Sequence, residues 1–89
     1  MSWRLKKTDL QNTIEVRELR KTLTSRYPIT KSPGTISRNL LPYVETDPEV
    51  YLWCLMWEDT VKFNEKKLFA VRFKYPNIVE VLMKELGCS

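Results

Sequence analysis

The sequence predicts a small, mainly α domain, and three observations carry that expectation. Proline stands at helix-opening positions in Ser32-Pro33, Asp47-Pro48 and Pro76-Asn77, where its missing N–H is not needed. Leu10, Ile14, Leu19 and Leu23 recur at roughly helical spacing. Of the 89 residues, 43% are apolar, ample for one core although the chain is near the lower size limit for a core without staples. The chain reads as one domain, with a basic helical half over residues 1–41 and an apolar, aromatic half over 42–89.

The first helix lies somewhere within residues 9–25. Thr8 and Asp9 supply an acidic start suited to the positive end of a helix dipole, and Thr13 with Val16 offers an alternative start. The helix must stop by Tyr27, because the residue before Pro28 is pushed out of the helical region. After a connector from Tyr27 to Lys31, Ser32 caps a second helix running to about Leu41. Ile36, Leu40 and Leu41 form its buried stripe, while Thr35, Ser37, Arg38 and Asn39 face mainly outward. Pro42 ends or kinks it.

Asp47-Pro48-Glu49 is a stronger start signal, but the run it opens is ambiguous. Val50 to Trp57 is apolar on every side, which fits a buried helix or a buried central strand. The cap argues for helix, and the β-branched and aromatic content argues for strand. In the run Leu68 to Tyr75, Phe69, Val71, Phe73 and Tyr75 alternate like a half-buried strand, whereas Asn64-Glu65 would cap a helix. Pro76-Asn77 opens a last helix through Ile78, Val79, Val81, Leu82 and Leu86, stopped by Gly87. Leu19, Leu23, Ile36, Leu40, Trp53 and Trp57 are the expected core, with Leu82 packing the last helix over them.

Charge is unevenly placed. Residues 1–41 carry nine cations and three anions, a net +6, and residues 42–89 carry six cations and eight anions, a net −2. Arginine and lysine neutralise phosphates, and arginine and asparagine make paired hydrogen bonds to base edges. Within this basic half, Ser32-Pro33-Gly34-Thr35-Ile36-Ser37-Arg38-Asn39-Leu40 combines polar readers with an apolar anchor.

Helix, connector and this second helix resemble the helix-turn-helix and winged-helix DNA-binding superfamily. The resemblance implies a winged-helix-like domain in which residues 50–57 and 68–73 form a β-hairpin; the alternative is an all-α bundle of four or five short helices. It also implies that the second helix enters the major groove. Arg38 and Asn39 would then read bases, while Lys31, Ser32, Thr35 and Ser37 contact phosphates. Arg17, Arg20 and Lys21, with Lys62, Lys66 and Lys67 on the wing, would supply salt-sensitive attraction. The connector from Thr24 to Lys31 exceeds the usual turn of about three or four residues. The expected partner is nucleic acid, DNA before RNA. The rival reading is a small protein-binding regulator or inhibitor docking on a larger assembly, with a protein partner or a second copy of the chain.

Other chemistries find little footing. Trp53, Trp57, Phe63, Phe69, Phe73 and Tyr75 would make a stacking platform only if exposed among basic residues. Trp53 and Trp57 sit among Leu, Cys and Met, which points to core packing; an exposed member would mark a protein-binding patch. With no histidine and two cysteines 34 residues apart, neither a zinc site nor a neutral-pH proton shuttle is expected. Cys54 reads as a small buried hydrophobe, and no enzyme activity, metal or cofactor is anticipated. The longest apolar run, eight residues, cannot span a bilayer, and Met1 to Lys7 precedes no apolar stretch, so an intracellular (cytoplasmic or nuclear) protein is expected.

Overall fold

The computed structural model describes residues 13–28, 33–58 and 60–87, with the backbone alone at Pro33 and Gly34. Five helices follow in order: α1 (Ile14–Arg26), α2 (Pro33–Leu40), α3 (Pro48–Trp57), α4 (Glu65–Phe69) and α5 (Pro76–Leu86), with a 3-10 turn at Leu41–Tyr43. The domain is therefore mainly α.

Thr13 opens α1, its hydroxyl accepting the Val16 N–H at 3.3 Å; the start at Thr8-Asp9 lies outside the described residues. The helix ends at Tyr27, in extended backbone just before Pro28. The buried face of α1 is Val16, Leu19 and Leu23, a spacing of three and four. Ile14 falls on the opposite side and is 75% exposed, so it does not belong to the core stripe.

The helix α3 is the centre of the bundle. It packs against α1, α2, the 3-10 turn and α4, while α5 closes over α1 and α4. Every residue from Val50 to Trp57 is buried, which is why the run is apolar all round. The strand alternative is corrected here. Asp47 Oδ1 accepts the Glu49 N–H at 3.1 Å and Pro48 pre-sets the first turn, so a helix is nucleated at the point where β propensity would otherwise act. Trp53 and Trp57, four residues apart, then stack with centroids 5.9 Å apart.

No strand occurs at residues 68–75 either, so the β-hairpin wing is absent among the described residues. Asn64 Oδ1 accepts the Lys67 N–H at 3.3 Å and starts α4. The chain then continues through turn bonds such as Val71 N–H to Leu68 O and Tyr75 N–H to Val71 O. Leu68, Val71 and Tyr75 are consequently the inward set, spaced by three and four, while Phe69 and Phe73 stand outward.

Gly87 ends α5 without entering left-handed backbone (φ −86°); what requires glycine there is a close approach. A Cβ would stand 2.7 Å from the Met83 carbonyl oxygen and 2.8 Å from the Phe63 ring. Gly87→Ala is expected to lower stability by about 1–3 kcal/mol through forced displacement of the Met83 carbonyl and the Phe63 ring. Thermal melting checks this; an unchanged midpoint would mean that the ring and the helix end both yield freely.

Candidate interaction surfaces

A partly buried polar cluster locks the helices together and fixes what remains available outside. Arg26, on the last turn of α1, donates to Asp47 Oδ2 at 2.7 Å and to Glu49 Oε1 at 2.8 Å. Tyr27 donates its hydroxyl to Asp47, and Tyr75 donates to Glu49, each at 2.8 Å. Burial by itself would raise both carboxyls. Hydrogen bonds from Arg26 and the tyrosines, with the positive charges of Arg26 and, at Glu49, Lys74, bring them below their ordinary values. Burial and the Glu49 hydrogen bond push the Tyr75 phenol up to about 12. All of these groups are engaged with one another, so the cluster acts as a clamp between α1, α3 and the start of α5.

Glu15 makes a second clamp. Its carboxylate accepts the N–H groups of Asn77 (3.0 Å) and Ile78 (3.1 Å), capping α5 from α1. The Tyr75 hydroxyl is committed to Glu49, and the side chain of Tyr75 makes no cap of its own. Inside the core, burial and the nearby Glu58 charge push the Cys54 thiol up to about 12, and it donates weakly to the Ser37 carbonyl.

The expected nucleic-acid face is only partly assembled. Arg17, Arg20 and Lys21 are exposed on the outer side of α1, and Thr35 (half-buried), Arg38 and Asn39 lie on the outer side of α2. Ser37 is corrected: it is 0% exposed, and its hydroxyl donates to Glu58 Oε1 at 3.0 Å. The reason is register. The inward side of α2 spans Ile36, Ser37 and Leu40, all turned to α3, so Ser37 cannot reach a phosphate. Lys31 and Ser32 lie outside the described residues. Lys62 and Lys66 are exposed, but on the 60–64 loop and on α4 rather than on a wing. Lys67 is half-buried, pairs with Glu45 at 2.7 Å and lies 5.1 Å from the Tyr51 ring centroid. The helix α3, buried from Glu49 to Trp57, cannot serve as a reading helix in place of α2.

A further surface is the outer side of α4, the 70–74 turn and α5, where two members of the aromatic set stay exposed. Phe73 is 95% exposed and Phe69 40%. Phe69, Arg72, Pro76, Val79, Glu80 and Met83 line a shallow groove of about 340 Å³. The Arg72 guanidinium lies 5.4 Å from the Phe69 ring centroid. The sequence signal is Arg72-Phe73-Lys74, an aromatic flanked by cations; strand-like alternation puts Phe73 on a half-buried face, while the Asn64-Glu65 cap leaves a helix open. Comparison with protein-family models, with curated proteins and with solved structures finds no match to this chain.

Proposed function

We propose that this domain is a protein-docking module whose contact face is the α4–α5 side, and whose partner presents acidic side chains around an apolar anchor. One observation carries the reading: Phe73 is 95% exposed, and the residue before it, Arg72, lines a groove with Phe69, Pro76, Val79 and Met83. Solvated cations need no explanation on a protein surface, whereas a fully exposed phenylalanine next to an apolar set of groove residues does. Burying one such ring at an interface recovers about 1.5–3 kcal/mol. Arg72 and Lys74 flank Phe73, and the Lys74 side chain is 66% exposed, so an acidic partner is complementary. Across a two-fold axis centred on Phe73 the same cations would oppose their own copies, which disfavours a second copy of the chain.

The test is selection of binders from a displayed random-peptide library, followed by titration of the recovered peptides. Expected are peptides with Asp or Glu around an aromatic or aliphatic residue. Their affinity should fall by about 2 kcal/mol or more with Phe73→Ser and be insensitive to Arg38→Ala. Peptides that bind Phe73→Ser as well as the native chain would sink the proposal.

A second reading has its own support. Thr35, Arg38 and Asn39 share the outward side of α2, and Arg17, Arg20 and Lys21 are exposed on α1, the arrangement expected for duplex binding in the manner of helix-turn-helix domains. Under it, Arg38→Ala lowers affinity for a selected duplex by about 1–3 kcal/mol, and the salt slope falls by about one unit with Lys21→Ala. That pair of effects, with Phe73→Ser silent, would move the function to nucleic acid.

A further inference from the structure

A second concave surface lies on the other side of α4. A cleft of about 570 Å³ opens between the 3-10 turn, α3 and the 60–64 loop. Its volume falls within the range of about 300–1,000 Å³ usual for small-ligand sites. Leu41, Val44, Tyr51, Val61 and Phe63 supply apolar walls, and Lys67 stands among them with Lys62 and Asn64.

Two contacts hold the outer wall in place. Tyr51, 2% exposed, donates its hydroxyl to the Lys62 carbonyl at 2.6 Å, fixing the loop to α3. The Phe63 ring packs so closely on Gly87 that no Cβ fits there without displacement, which braces the loop against the end of α5. The cleft is therefore formed before any ligand arrives, which lowers the ordering cost of binding.

Lys67 identifies the ligand's chemistry. Its side chain is 32% exposed, its ammonium lies near the Tyr51 ring, and its charge is met by Glu45, whose side chain is 80% exposed. An exposed ion pair of this kind contributes little, so an incoming carboxylate displaces Glu45 at small cost and gains the burial of its apolar body. The cleft has point-charge lysines and no arginine fork among its lining residues, which suits one carboxylate better than a polyanionic phosphate.

We infer that this cleft binds a small monocarboxylate with an apolar body, its carboxylate taking the place of Glu45 on Lys67. The site is separate from the docking face and does not depend on it.

The probe is octanoate, with octanol and acetate as controls for the apolar body and the carboxylate alone. Binding is followed by NMR shifts of the Val44, Tyr51, Phe63 and Lys67 amides. Octanoate should bind about tenfold or more tightly than acetate, which lacks the apolar body, and about two- to fivefold more tightly than octanol, which lacks the charge. Lys67→Met should weaken octanoate by about two- to fivefold, whereas Lys67→Arg, which keeps the cation, should retain it. Glu45→Gln removes the resident competitor and should tighten binding by about two- to fivefold. Octanol binding as tightly as octanoate, native-like affinity in Lys67→Met, or unchanged or weaker affinity in Glu45→Gln would each overturn the assignment. Loss of binding in Phe73→Ser has no place in this scheme, so the outcome stands apart from that of the docking test.

Discussion

Replacing Leu40 by alanine lowers the stability of the domain by about 2–5 kcal/mol, the range for truncating a fully buried leucine. Leu40 is 1% exposed and, with Ile36, seats α2 on the central helix. A chain of this size has about 4–13 kcal/mol of stability in all, at the usual per-residue value. The loss therefore removes a large share of the total. Urea unfolding followed by tryptophan fluorescence is a direct measurement, since Trp53 and Trp57 are buried against the same helix packing. A lower midpoint with unchanged slope is expected. An unchanged midpoint would show that α2 is not held by this stripe, and the outward placement of Arg38 and Asn39 would lose its basis with it.

Arg26→Met is the second large effect, expected at about 1–3 kcal/mol. That lies below the cost of breaking a fully buried pair because the Arg26 side chain is 40% exposed to screening water. The variant leaves Asp47 (8% exposed) and Glu49 (7%) without their main cation. The pH dependence follows from the direction of the shifts. Both carboxyls are held below their ordinary values of 3.8 and 4.5 in the folded chain. Their contribution is therefore fully present above that range and is lost as pH falls through the depressed native values. The gap between native and Arg26→Met should be widest above about pH 5 and narrow on acidification, once protonation removes the charges that Arg26 answers. Denaturation curves at a series of pH values measure it. A gap that stays constant to pH 3 would show that Arg26 acts by packing alone.

These effects depend on partners at different distances along the chain, and so does what could be read in advance. The helix starts at Thr13, Asp47 and Asn64 are legible in the sequence because a cap bonds an N–H two or three residues ahead of it. The stop before Pro28 is equally local. The core set of Leu19, Leu23, Ile36, Leu40, Trp53, Trp57 and Leu82 is also legible, since large apolar side chains have one favourable destination in a chain with a single core.

Tertiary structure decided the rest. The composition of Val50–Trp57 suits strand or helix; the Asp47-Pro48 cap starts it as a helix, and its place at the centre of four neighbours buries it on all sides. One residue of rotation is 100° on a helix, so the sequence could not say whether Ser37 would lie outside or, as it does, turn to Glu58 at 3.0 Å. Glu15 caps a helix whose N–H groups lie 62 and 63 residues away, and Arg26 finds carboxylates 21 and 23 residues on; no local pattern encodes such partners. The two-residue alternation around Phe73 suits a half-buried strand, and the Asn64-Glu65 cap suits a helix. Phe73 is exposed because Leu68, Val71 and Tyr75 take the inward positions of a helical turn, leaving the ring between them in water.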